Sequence, residues 1–233
     1  LFLALAAFTI AASASPIEFC TGSTINGHVS GNTWTTGGVT VTTAPGSPNC
    51  KTKSYTDPAV GSVSGLGVTG QTNDEIDSGE TVTVDFGGSV NLESFEIIVF
   101  YNGPEFGDPR EKGFIDVWFA SGGGPTTYYF YADAPPATTT LTKNFGGSYT
   151  NLSPMNDNGA GWFRFDNPFG DSNITKIRFT AENNPSASNN SDYALKSIVF
   201  TTGATEEIPE PSTYALMGLG LLAVGFLKRR MAQ

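Results

Sequence analysis

Histidine is almost absent. His28 stands alone among 233 residues, which excludes any site that needs two imidazoles, and two cysteines cannot build a four-thiolate zinc site. Charge is sparse as well, with Asp, Glu, Lys and Arg at 15% of the chain. No long Ala/Leu/Glu/Lys stretch occurs, which removes helical bundles, whose helices are built from those residues. Cations are scarce through the body. All 22 acidic residues fall between Glu18 and Glu210 against nine basic residues in the same span, so the middle carries −13. An anionic surface without a basic patch repels phosphate backbones, so nucleic acid is excluded as a partner.

What is abundant points to strands and turns. There are 28 Gly and 14 Pro, and 17 Phe, 8 Tyr and 3 Trp within a 39% hydrophobic chain, enough to bury a core around one main domain. Apolar residues alternate with polar ones at Val82, Val84 and Phe86, at Phe95, Ile97 and Val99, and at Ile115, Val117 and Phe119. Tyr128 with Phe130, Phe163 with Phe165, Ile177 with Phe179 and Ile198 with Phe200 give four more strands, and residues 39–43 and 138–145 two weaker ones. Gly87-Gly88, Asn102-Gly103-Pro104, residues 122–125, Pro135-Pro136, Gly146-Gly147, Asn158-Gly159 and residues 183–185 read as turns between them. Phe86-Gly87-Gly88-Ser89 recurs as Phe145-Gly146-Gly147-Ser148, which suggests two similar hairpin turns. About nine short strands without helical periods predict an all-β fold, a two-sheet sandwich of jelly-roll type, with a closed barrel as the alternative.

Both ends read as addresses. Leu1 to Ile10 (LFLALAAFTI) is an apolar run followed by Ala11-Ala12-Ser13-Ala14, whose small side chains suit signal peptidase. Residues 1–14 are therefore expected to be a signal peptide, truncated at its start because no Met or basic stretch precedes the run. Cleavage is expected after Ala14, since a cut after Ser15 would leave Pro16 at the new terminus. Export places Cys20 and Cys50 in an oxidising compartment, where a disulfide between them is the expectation; Ile17-Glu18-Phe19 is no lipobox, so Cys20 is not a lipidation site. Residues 15–203 make up the ectodomain, and residues 204–233 a linker and tail.

In that tail Pro209-Glu210-Pro211 precedes an apolar run, Tyr214 to Leu227, and a basic cluster, Lys228-Arg229-Arg230. Fourteen helical residues rise ~21 Å, short of the ~30 Å hydrocarbon core, so the run is a marginal transmembrane helix. The basic cluster stops it on the cytoplasmic side, which puts the two prolines just outside the membrane. Motif, apolar run and basic stop in this order closely resemble the PEP-CTERM sorting signal of Gram-negative bacteria that make exopolysaccharide. The resemblance implies recognition by exosortase, a polytopic membrane enzyme similar to a cysteine transpeptidase, with cutting at or near Pro209, Glu210 and Pro211. The body is similar to other β-rich ectodomains of such proteins through Gly65-Leu66-Gly67-Val68, Glu75-Ile76-Asp77 and residues 191–197. That second likeness implies a surface or matrix protein and names no ligand.

Residues that could carry chemistry are few. Asp74, Asp77 and Glu80 lie within a Gly-flanked acidic stretch, and oxygen donors at this density could converge on calcium; without EF-hand spacing, a solvated acidic turn is the alternative. A glycoside hydrolase needs two carboxylates facing one cleft, and none of the 22 sits in a recognisable motif, so no enzyme is expected. His28 receives no role. Trp34, Trp118, Trp162 and residues 128–131 could supply sugar-stacking rings, and alternation places Trp118, Tyr129 and Tyr131 opposite the core as candidate carbohydrate-binding residues. The expectation is an exported, non-catalytic protein of the cell surface or of a biofilm exopolysaccharide matrix. A carbohydrate-binding module and a secreted glycoside hydrolase are the alternatives.

Overall fold

The computed structural model describes residues 14–55, 57–70, 74–101, 111–132, 140–153, 160–183, 191–202, 220 and 228–229. The chain divides into two compact units, Leu1–Gly203 and Ala204–Gln233. The first is built from strands. In chain order they are β1 (Ser15–Glu18), β2 (Cys20–Thr21), β3 (Thr24–Ile25), β4 (His28–Ser30), β5 (Thr33–Thr36), β6 (Val39–Ala44), β7 (Pro48–Ser54) and β8 (Ser62–Val68). They continue as β9 (Thr81–Tyr101), β10 (Lys112–Phe119), β11 (Thr126–Ala132), β12 (Leu141–Lys143), β13 (Ser148–Asn151), β14 (Ala160–Asp166), β15 (Asn173–Ala181) and β16 (Ala194–Thr202).

Fourteen of these strands form one antiparallel sheet, and β2 with β3 forms a separate two-stranded ribbon. The sheet is organised by β9, whose 21 residues pair with different neighbours along its length. Its first half lies between β15 and β6, and β6 continues to β5 and β4. Its second half lies between β14 and β16, beyond which come β1, β8 and β7. The two halves face each other across one core, giving an arrangement like a β-sandwich. Phe179 of β15 meets Phe95 at 5.5 Å between ring centroids, and Phe130 of β11 meets Phe165 of β14 at 5.4 Å. The expected two layers are thus hydrogen-bonded into a single sheet through a shared strand.

That shared strand corrects a sequence expectation. Gly87-Gly88 reads as a turn, yet β9 runs straight through it. Asp85 pairs with Lys176 and Val90 with Ile174, so β9 fits three extra residues against β15. Gly87 takes φ +67° there, and the Asp85 carboxylate accepts its N–H at 3.0 Å. A glycine bulge of this kind bends a strand without ending it, which lets β9 pass from one half of the sheet to the other. At the other copy of the tetrapeptide the chain does turn, between β12 and β13. The Lys143 ammonium donates to the carbonyls of Phe145 (2.8 Å), Gly146 (2.5 Å) and Gly147 (2.9 Å) and holds that turn.

A second bulge alters the predicted alternation at Val99. Ile97 pairs with Phe163 and Phe100 with Gly161, so Ile98 and Val99 together oppose Trp162. Val99 adopts φ +54°, an unusual conformation for a β-branched residue. Phe95, Ile97 and Phe100 consequently face the main core, while Ile98 and Val99 turn to a smaller cluster with Tyr55, Val63 and Ala194. Strand β8 hides its pattern differently. A side chain on Gly65 would press on Ile98 and Ala194, and one on Gly67 would collide with the backbone of Asp74 and Glu75. Glycine sits at these positions because other chain segments cover them.

Candidate functional site

One half of the sheet leaves its outer face uncovered by any described element. Here the period-2 alternation of β10 sends Ile115 and Val117 into the core, with Gly113 beside them because the Phe130 ring fills the space a side chain would need. Lys112, Phe114, Asp116 and Trp118 point the other way. Register brings Tyr129 opposite Phe114 and Tyr131 opposite Lys112 from β11, while β15 places Thr180, Arg178 and Lys176 opposite Phe114, Asp116 and Trp118. Phe114, Trp118, Tyr129 and Tyr131 belong to neither buried cluster and are all half-buried.

The expected aromatic candidates thus share one face but not one spot. Tyr129 and Tyr131 stack at 6.0 Å with an interplanar angle of 17°. Trp118 lies four residues along β10 from Phe114, about 13 Å away at the rise of a strand. Between them runs a polar band in which the Asp116 carboxylate accepts from Thr127 Oγ1 (2.5 Å) and from Arg178 Nε (3.0 Å). Each ring zone also holds a cation. Lys112 lies 4.8 Å from the Phe114 ring and 5.6 Å from Tyr129, and Lys176 and Arg178 lie 5.8 and 5.5 Å from Trp118. All three cations have carboxylate partners: Lys112 with Glu182, Lys176 with Asp85 and Arg178 with Asp116. Sequence reasoning missed Phe114 and these cations. The alternation of residues 112–118 marks Phe114 as outward, but the pairing of the cations depends on the register of β15, which no local pattern reveals.

The acidic stretch is folded inward. Asp77 and Glu80 are each 2% exposed, and they close a turn on each other. Glu80 Oε2 accepts the Asp77 N–H at 3.0 Å, and the Asp77 carbonyl accepts the Glu80 N–H at 3.0 Å. Asp74 faces elsewhere and accepts a hydrogen bond from the Asn49 amide, while the adjacent Glu75 pairs with Lys51 at 2.6 Å. None of the three calcium candidates lacks a protein partner. Among the described residues no group of three or more His, Cys, Asp or Glu side chains stands close enough to hold a metal ion.

Cys20 and Cys50 are joined, with Cα atoms 5.9 Å apart, so the β2–β3 ribbon is tied to β7. His28 is exposed on β4. Trp34 is a core residue, edge-on to Phe19 at 6.3 Å. Trp162 belongs to the opposite outer surface, where it stacks on Tyr55 and donates from Nε1 to Glu96 at 2.8 Å. That cluster packs Tyr55 and Val60 against the bulge at Val99.

In the second unit, Pro209, Glu210, Pro211, Arg230 and nearly all of the apolar run lie outside the described residues. Gly220, Lys228 and Arg229 are described, and all three are exposed. Among the described residues no helix is long and apolar enough to cross a membrane. The signal-peptide expectation, residues 1–14, also falls almost wholly outside them.

An all-β ectodomain followed by a separate short unit defines a class: a folded body carrying a C-terminal address. The address is specific. A family model of the PEP-CTERM protein-sorting motif matches residues 207–230, and a motif of this kind points to export and sorting by exosortase. No curated protein and no solved structure matches the chain.

Proposed function

We propose that the chain is a non-catalytic protein of the cell surface or exopolysaccharide matrix, released from the inner membrane by exosortase cutting at or near Pro209-Glu210-Pro211. The sorting motif at residues 207–230 carries this reading. Proline at two of the three motif positions keeps the segment extended, the form a processing cleft accepts. In this reading residues 1–14 direct export, the apolar run holds the precursor in the membrane, and Lys228 to Arg230 stay in the cytoplasm. The ectodomain is the cargo. A disulfide between Cys20 and Cys50 suits an oxidising exterior. The jelly-roll assignment belongs to this reading as well, supported by strands that face one another across an aromatic core. The test is fractionation of cells expressing the full chain with Pro209-Glu210-Pro211 replaced by three alanines. Retention of the full-length form in the inner membrane is expected, and release equal to that of the unaltered chain overturns the proposal.

A further inference from the structure

The face of β11, β10 and β15 that no other described strand covers has three properties that together select a ligand class. First, it carries rings in two zones about 13 Å apart, with Phe114, Tyr129 and Tyr131 at one end and Trp118 at the other. A single sugar or a small aromatic molecule would reach one zone only. Second, the band between the zones displays the Arg178 guanidinium and the Thr127 hydroxyl, both held by the nearly buried Asp116 carboxylate. Third, the face is electrically balanced. The body nets −13, yet each described cation here is matched by a carboxylate, at 2.5 Å for Lys112 with Glu182 and 2.9 Å for Lys176 with Asp85 of β9. Among the described residues a polycation would find no net negative charge on this face, and a polyanion would find no unpaired cation and would meet the field of the acidic body. Paired charges also hold the lysine and arginine head groups within 5.8 Å of the ring centroids, so the platform exists before any ligand arrives.

We infer that this face binds a neutral, extended polysaccharide, one sugar stacking on the Tyr129–Tyr131 pair, another on Trp118, and the hydroxyls between them engaging Arg178 and Thr127, which Asp116 holds in place. Flat sugar faces present C–H groups that suit ring stacking, and their edges present hydroxyls that suit the polar band. This gives the proposed matrix role a ligand chemistry, but it does not depend on how the protein is sorted. Processing can fail with binding intact, and binding can fail with processing intact.

The test uses the full chain purified in mild detergent, co-sedimented with amorphous cellulose, chitin and insoluble mannan, with alginate gel as the polyanionic probe. Retention by at least one neutral polymer is expected, with less on alginate. Binding should be nearly constant between low and high salt, since no net charge is neutralised. Trp118→Ala and Tyr131→Ala should each weaken binding about three- to tenfold. Trp162→Phe, on the opposite surface, should change it less than twofold. The melting temperatures of the first two variants verify that each is folded, and a ring variant that melts early is replaced by Thr127→Ala, which alters only the polar band. No retention on any neutral polymer, stronger retention on alginate, or equal loss in Trp162→Phe overturns the inference. So does a dimer in sedimentation velocity that Phe114→Ala dissolves, which would make the face a contact between copies of the chain.

Discussion

The ectodomain spreads its information over dozens of buried side chains in sixteen strands, whereas the sorting tail concentrates it in residues 207–230. The two regions therefore became readable by different routes. A sorting motif is read as sequence by an enzyme, so proline, glutamate and proline beside an apolar run carry the meaning directly. A β-sheet fold is held by alternation and packing that many unrelated sequences satisfy, so its strings identify no relative and its fold names no function. If this contrast is sound, damage to one region should leave the other unaffected.

The largest effect is expected from the tail. Replacing Pro209, Glu210 and Pro211 with alanine should abolish release, seen as full-length chain in the inner-membrane fraction on an immunoblot. The ectodomain of the same variant should melt at the unaltered temperature. A lower melting temperature would break the contrast, because it would mean that the tail supports the fold.

The reverse experiment damages only the body. The Cys20–Cys50 bond closes a loop across a sequence separation of 30, which in the chain-entropy account stabilises by about 3–4 kcal/mol. Paired Cys20→Ser and Cys50→Ser substitutions should shift the denaturant midpoint accordingly, while the fraction of surviving chain cut at the motif stays constant. In the unaltered exported protein, alkylation without reductant followed by mass measurement should find no free thiol.

How much of the body was legible depends on how locally each feature is encoded. Strands β10, β11 and β15 declare themselves because their inward positions are mostly Ile, Val and Phe and their outward ones are polar or aromatic. Strand β8 does not, because Gly65 and Gly67 answer to neighbours that arrive from Ile98 and Asp74. The merger of two expected strands into β9 was also hidden. Glycine pairs serve turns and bulges equally, and what separates residues 86–89 from 145–148 is a partner outside the tetrapeptide, Asp85 in one case and Lys143 in the other. At the uncovered face, alternation exposed Trp118, Tyr129 and Tyr131, but the balance of charge around them comes from register alone. The acidic stretch misled in the opposite direction, since four carboxylates in seven residues look like surface while Asp77 and Glu80 are packed inside.

A smaller effect is expected at Tyr193, which is fully buried between Phe100 and Phe130 and donates from its hydroxyl to the Thr180 carbonyl at 3.1 Å. Burial holds its proton well above the ordinary value of 10.0. A raised value means that this contribution to stability is complete below pH 10 and declines above it, where the unfolded chain ionises and the folded one does not. Tyr193→Phe should cost about 1 kcal/mol at neutral pH by removing this hydrogen bond to the part-buried Thr180 carbonyl. Its alkaline decline in melting temperature should be shallower than that of the unaltered protein. Release from the membrane should not change.

The smallest effect sharpens the account of the bulge that makes β9 a shared strand. Asp85 pairs with Lys176 at 2.9 Å and accepts the Gly87 N–H, and the Lys176 hydrogen bond holds its carboxyl below the ordinary value of 3.8. Both side chains are more than a third exposed, so the ion pair contributes no more than about 0.5 kcal/mol. A lowered value gives stability that is present above pH 3.8 and lost as the pH falls through the folded value. Asp85→Asn keeps an oxygen for Gly87 but not the charge. Its small deficit at pH 7 should therefore shrink as the pH falls below 3.8, where the advantage of the ionised Asp85 is progressively lost. Gly87→Ala is the complementary change: its φ of +67° penalises any side chain at every pH by about 1 kcal/mol, so its deficit should stay constant across the same titration. Denaturant midpoints of the two variants from pH 7 down to pH 3 separate the charge from the backbone. A deficit for Asp85→Asn that persists in acid would show that Asp85 acts through its hydrogen bond to Gly87 and not through its charge.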